Sequence, residues 1–173
     1  MVIRAQLVGA KRVKDRLEGM VIRAADPSPI WEKIHDYLMG ISEEQFLTEG
    51  GRGGEAWADL VTSTVEAKMR EGMRPEILRR EDTLFDSLAS EGNFHVKKIT
   101  PDSLLFGTSD PIGVFHQEGT IHLPARPPIA LTDDDRMRIT EAVNAWIFLG
   151  VAAISAEGAT GSAAATTGVG FFL

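Results

Sequence analysis

Phe94-His95-Val96-Lys97-Lys98-Ile99-Thr100-Pro101-Asp102-Ser103-Leu104-Leu105-Phe106-Gly107 is the stretch on which the fold class turns. Two runs rich in β-branched, aromatic and aliphatic residues flank Thr100-Pro101-Asp102. That triplet has turn chemistry, because proline presets one φ angle and aspartate bonds its own backbone. Lys97-Lys98 add charge to one run, so the pair predicts a β-hairpin with a polar face. An isolated hairpin is marginal in water and needs helices over its apolar face.

The strongest helical pattern lies upstream. Ser28 predicts a cap with Pro29 at the first helical position. From there Ile30, Ile34, Leu38 and Ile41 recur on one face, widened by Trp31, Tyr37 and Phe46. Gly40 costs this helix ~1 kcal/mol relative to alanine. The helix, residues 29–49, runs into Gly50-Gly51-Arg52-Gly53-Gly54, where four glycines in five positions mark a loop. The loop follows a helix and lacks the Gly-Lys-Ser/Thr ending of a phosphate cradle, so it reads as a flexible connector.

Downstream, Thr132 precedes Asp133-Asp134-Asp135, a cap followed by acids that complement a helix N-terminus. Three consecutive carboxylates splay around the axis and do not converge on one cation. Ile139, Val143, Trp146 and Ile147 then give the apolar face of a closing helix over 132–148. Shorter helical stripes follow Val13, Leu17, Met20 and Val21, then Val61, Val65 and Met69. Another starts at an Asp82 cap and runs through Leu84, Phe85 and Leu88, and a last one spans Pro111 to Glu118. The segment 120–131 carries Pro124, Pro127 and Pro128 and is expected to be extended at a sheet edge. Val2 to Val8 alternates roughly and predicts a further short strand. The expected fold is α+β: an antiparallel sheet of hairpin 94–107, the 120–131 segment and the N-terminal strand, packed by the two main helices.

With 173 residues the chain suits one ordinary domain. A monomer of this size buries roughly 70% of its unfolded surface and holds a core without staples. The absence of cysteine excludes disulfide scaffolds, cysteine zinc sites and thiol nucleophiles. The net charge of −7 argues against a surface that grips nucleic acid, because such affinity comes mainly from neutralised phosphates. Residues 101–173 hold 3 basic and 8 acidic side chains, so most of the excess sits there. The apolar stretch 145–156 falls short of the ~20 residues of a membrane span, and the start shows no secretory leader. A soluble intracellular protein is therefore expected. From Gly150 the composition shifts: residues 150–173 hold five glycines and seven alanines with one charge, ending in Phe171-Phe172-Leu173. The reading divides the chain into a domain over 1–149 and a flexible apolar arm over 150–173.

Chemistry-bearing clusters are few. His116-Gln117-Glu118 with His122 contains metal ligands and an imidazole base in principle. Their spacing puts the two imidazoles on different faces, so the group reads as structure or surface. A metal-dependent hydrolase using His116, Glu118 and His122 is the alternative. No serine lies in a Gly-x-Ser-x-Gly elbow. A non-catalytic assembly or binding role, without metal or cofactor, is the default.

The order of residues in the middle is more specific. Gly54-x-x-Trp57-x-x-Leu60, Thr64-x-x-x-Lys68, Ile77-Leu78 and Leu84-x-x-Ser87 occur in sequence, followed by the hairpin. Next come His116-Gln117-Glu118-Gly119 and Arg126-Pro127-Pro128-Ile129. This track resembles the phage virion morphogenesis family, the Mu G-like tail-completion proteins, over residues 1–148. Glu81-Asp82 stands where the family pattern has Thr-Gly, Pro128 replaces an aromatic, and Ile112-Gly113 replaces Tyr-Ala.

The resemblance implies a structural virion protein rather than an enzyme. It would be made in the host cytoplasm and built into the tail or neck at the head–tail junction. It implies a self-associating ring of sixfold-related symmetry, in contact with adjacent neck, tail terminator or tail tube proteins. DNA would pass through without sequence-specific binding, and no membrane is involved. Within that reading Trp57 and Leu60 pack on the sheet or on a neighbour, and Arg126 on the rigid Pro127 segment is suited to gripping a carboxylate. His116 and Gln117 set a turn that reverses at Gly119 with positive φ, and the arm bearing Phe171 and Phe172 orders on a neighbouring copy.

Overall fold

The computed structural model describes residues 8–154, and the expected strand at Val2–Val8 and most of the arm lie outside them. In chain order the elements are helices α1 (Ala10–Ala25), α2 (Ser28–Leu47), α3 (Thr62–Arg70) and α4 (Thr83–Ala89), strands β1 (His95–Thr100) and β2 (Ser103–Thr108), and helices α5 (Pro111–Glu118) and α6 (Asp133–Leu149). The class is α+β. Among the described residues the sheet is one antiparallel hairpin, with Thr100 opposite Ser103 and His95 opposite Thr108.

Residues 120–131 therefore do not join the sheet, contrary to the sequence expectation. Pro124, Pro127 and Pro128 have no N–H to offer a ladder. The neighbouring backbone groups are taken up instead by side chains and by α5, whose His116 carbonyl accepts the Arg126 N–H at 2.8 Å. The cap of α2 also shifts. Ser28 lies inside the helix, and the Asp26 carboxylate accepts its N–H at 3.2 Å.

Helix α2 is the spine. Ile30, Ile34, Tyr37, Ile41 and Phe46 are all buried along it, at the spacings that fill one broad helical face. It lies over both strands of the hairpin, joined there by α4, and α6 packs on α1 and α2. The apolar interior has two centres. Phe46, Trp57, Ile77, Leu84 and Leu88 form one, with Phe85 and Phe106 against it. Trp57 and Phe85 both meet the Phe46 ring edge-to-face, at centroid separations of 5.5 and 5.3 Å. Ile30, Ile34 and Ala142 form the other, where Trp146, Ala152 and Ile154 close the end. The departure Glu81-Asp82 is accommodated locally: Asp82 takes φ 56°, and Arg79 holds its carboxylate at 2.9 and 3.2 Å. An aspartate visits this left-handed region more readily than most residues other than glycine.

Asp135 is more than a capping acid. It forms a capping box with Thr132, whose N–H and Oγ donate to its carboxylate at 2.8 and 2.7 Å. Only 1% exposed, it also accepts the Tyr37 hydroxyl at 2.6 Å and both terminal nitrogens of Arg52. Arg52 Nε reaches Glu44 at 3.1 Å. One buried anion thus ties α2, the glycine loop and the start of α6 together. Burial alone would raise the Asp135 carboxyl, but the hydrogen bonds from Arg52, Tyr37 and Thr132 outweigh it and hold it well below the usual carboxylate range. Burial and the bond to Asp135 push the Tyr37 phenol above its ordinary value.

Because the folded-state pKa of Asp135 is depressed, its contribution is complete above the unfolded value near 4 and lost as pH falls through the folded one. Asp135→Asn is expected to lower unfolding free energy by about 3–5 kcal/mol at pH 7, since it leaves the buried Arg52 charge with Glu44 alone. In paired urea titrations from pH 7 to pH 2, the gap between wild type and variant should narrow only at the acid end. A gap that is constant to pH 2 would contradict the ionised assignment.

Candidate functional site

The residues of the middle motif converge on one clamp. As α2 ends, the chain turns through Glu49 at φ 45° and Gly50 at φ 92° into a short 3-10 turn over Gly51–Gly53. Gln45, the last buried polar residue of α2 before Phe46, organises this turn. Its Oε1 accepts the Gly53 N–H at 2.9 Å, and its Nε2 donates to the Pro127 carbonyl at 3.0 Å. Trp57 Nε1 donates to that same carbonyl at 3.2 Å, and the Trp57 N–H bonds Glu49 O at 2.7 Å. A Cβ on Gly50 would stand 2.8 Å from the Trp57 nitrogen, so the tight return needs glycine in both conformation and space. The glycine run is a pinned turn, not the flexible connector expected from composition. It is held by the Gln45 amide and by Arg52 within it.

Arg126 grips backbone rather than a carboxylate. Its Nε donates to Ala58 O at 2.8 Å and its Nη2 to Asp59 O at 3.0 Å, with the residue 6% exposed. Residues 57–61 run outside regular structure, so their carbonyls lack a ladder. A forked guanidinium serves two of them at once. Leu60 completes the stretch by packing, half-buried, against the Phe46–Trp57 centre.

The α5 end locks the other side of the same segment. Gln117 bonds Ile129 in both directions, donating to its carbonyl at 3.0 Å and accepting its N–H at 3.3 Å. Gly119 reverses the chain at φ 75°, where a Cβ would lie 2.8 Å from the Ala125 nitrogen. His116 contributes its carbonyl, while its ring Nδ1 is buried without a hydrogen-bond partner. Burial, and then the nearby Arg126 charge, lower the His116 imidazole below its ordinary value. Glu118 and His122 are exposed, and His116, Glu118 and His122 do not gather as metal ligands. Trp57, Leu60, His116, Gln117, Gly119, Arg126 and Pro127 thus share one neighbourhood. Phe171 and Phe172 lie outside the described residues.

Two surfaces of the molecule stand open. A groove of about 840 Å³ opens beside Arg126 and His116, with Leu60, Phe94, Ile112 and Leu123 along it and Asp59, Glu81 and Asp110 among its polar residues. The second is α1, which buries none of its residues. Val13, Leu17 and Val21 lie along one side of it at 59%, 56% and 69% exposure. Residues 8–25 carry five basic and two acidic side chains, in a chain whose total is −7. Helix α1 is fastened near its C-terminal end, where Arg23 Nε donates to Ile147 O at 2.9 Å and Trp146 Nε1 donates to Arg23 O at 3.3 Å. Sequence reasoning missed Asp135, Arg52, Tyr37 and Gln45. The one visible signal was a lone arginine inside a glycine run, a charge with no neighbouring side chain to shield it.

A model of the phage virion morphogenesis family matches residues 8–147, from before α1 to near the end of α6. No curated protein matches, and no solved structure matches.

Arg126→Ala removes two charge-assisted bonds to the Ala58 and Asp59 carbonyls and is expected to cost about 2–4 kcal/mol. Arg126→Lys should recover less than half of that, since an ammonium cannot fork between Ala58 and Asp59. Urea midpoints of the three proteins measure this, and full recovery by lysine would show that charge alone matters.

Proposed function

The chain belongs to the phage virion morphogenesis family, and from that premise we propose that it is a ring-forming protein of the head–tail junction. The family gives it a structural role in phage assembly, and among the described residues no helix is long and apolar enough to cross a membrane. In the proposed role, copies of the chain close a ring that completes the tail or neck. The ring meets the adjacent neck, terminator or tube proteins and lets DNA pass without turnover of any substrate. An acidic lining suits that passage, because like charge repels phosphate within a Debye length of ~8 Å at physiological salt. Rings of this family resemblance are expected to have sixfold-related symmetry.

The observation that carries the reading is α1. A basic helix whose apolar stripe no other described residue covers is an incomplete surface. The groove beside the clamp matches the stripe by its apolar walls at Leu60, Phe94, Ile112 and Leu123, while its acids Asp59, Glu81, Asp82 and Asp110 are set against the cations Lys68, Arg80 and Arg126. A helix-in-groove contact between α1 of one copy and the groove of the next is head-to-tail, the kind of contact that generates rings. The occupant of α1 is thus a second copy of this chain. The apolar arm after Gly150 would add to the same contact.

Leu17→Asp on α1 and Phe94→Asp in the groove each damage one side of this contact. Phe94 is exposed and sits at φ 67°, which aspartate tolerates better than phenylalanine. Light scattering is expected to give a ring for the parent protein and monomers for each variant alone. Their equimolar mixture should stop at a dimer, because one intact α1 still meets one intact groove. Variants that ring normally would overturn the reading, as would a mixture that stays monomeric.

A further inference from the structure

The structure places two imidazoles nose to nose away from the clamp. His35, fully buried on α2, and His95, at the start of β1, bring their Nε2 atoms to 2.9 Å. The rings meet edge-on, at 80° between planes. Glu91, in the turn after α4, completes a set whose ligand atoms all lie within 4.8 Å of one another. Among the described residues this is the only such group of three. We propose that His35, His95 and Glu91 bind a divalent transition ion of the zinc class, which pins α2 to the hairpin.

The outer contacts point the same way. His95 Nδ1 lies 2.7 Å from Ser87 O, and a carbonyl only accepts, so Nδ1 carries the proton and Nε2 presents a lone pair. A backbone carbonyl behind a histidine is the usual orienting partner of a metal ligand. In the metal-free pair, the His35 Nε2–H must donate to that lone pair. When an ion binds, this proton moves to His35 Nδ1, a buried atom with no hydrogen-bond partner. The Asp36 carboxylate stands 3.6 Å from it. Both rings remain neutral through the exchange, and no proton needs to leave the site. At Zn–N bonds of about 2.0–2.1 Å, tetrahedral geometry separates two nitrogens by about 3.3 Å, so the rings need to part by only a few tenths of an ångström.

Charge also favours a cation. Three carboxylates, Glu32, Asp36 and Glu91, stand around the pair against two ammoniums, Lys97 and the Lys33 that lies 3.9 Å from Asp36. Lys97 bridges Glu32 at 2.8 Å and Glu91 at 3.2 Å. It is the competitor for Glu91, and binding requires Glu91 to turn from Lys97 to the ion while Glu32 keeps the ammonium. Two histidines and one carboxylate are a recurrent zinc set that leaves a position for water.

The test uses the full chain without a histidine tag, titrated with zinc chloride by calorimetry, with metal content measured after dialysis. One equivalent per chain and a raised thermal midpoint are expected, since a ligand of the folded state stabilises it. His95→Gln should abolish binding, and Glu91→Gln should weaken it about tenfold. Lys97→Met should tighten it severalfold by freeing Glu91, an effect no purely structural histidine pair produces. Glu91 and Lys97 are surface residues whose variants keep the core, so the assignment is tested even if His95→Gln unfolds. Substoichiometric uptake by the parent chain would overturn it, as would affinity indifferent to Glu91→Gln and Lys97→Met.

Discussion

The packing of this protein hangs on a carboxylate that water does not reach. Asp135 opens α6, yet its oxygens are spent on Tyr37 from the middle of α2 and on Arg52 from the glycine turn. A buried charge is tolerable only with full pairing, and here five donor atoms supply it. The arrangement fixes geometry as much as energy. Helix α6 cannot slide along α2 without breaking the Tyr37 bond, and the turn cannot open without losing Arg52. The clamp built on Trp57 and Arg126 inherits its position from this point, because the same turn leads into Trp57.

Legibility from sequence followed the physical origin of each feature. Helices α2 and α6 and the hairpin were readable because apolar periodicity and turn chemistry are local properties. The acidic run at 133–135 was readable as a helix start, and Thr132 does cap it. That Asp135 alone turns inward was not readable, since burial of one carboxylate among three depends on where Arg52 and Tyr37 arrive in space. Arg126 was assigned to a carboxylate for a related reason. Its true partners are the carbonyls of Ala58 and Asp59, and every residue owns a carbonyl, so no letter marks them. Residues 120–131 lie outside regular structure and begin with a tight turn from Thr120 to Leu123, and their prolines alone do not say whether a neighbour will be a strand or a set of side chains.

The clamp shows how a segment without regular structure is made rigid. The Pro127 carbonyl accepts from both Gln45 and Trp57, Ile129 is read in both directions by Gln117, and the Arg126 N–H goes to α5. The Pro127 carbonyl and both polar backbone groups of Ile129 are thus served by side chains from other elements. The His35–His95 pair repeats that logic between α2 and the hairpin, 60 residues apart in sequence and in direct contact in space. Membership of a virion assembly family fits a body of this kind, whose irregular segments are fastened while one helix is left uncovered by the other described residues.

Among the described residues that helix is a cantilever, exposed throughout residues 10–18. From its root at Arg23 to Ala10 it extends about 20 Å. Each ten degrees of tilt about Asp26-Pro27 swings its free tip by about 4 Å. An array joined through such a beam would have its circumference governed by the angle at one dipeptide. In the proposed ring, the same body would then seat against layers of unequal diameter without any change to its interior.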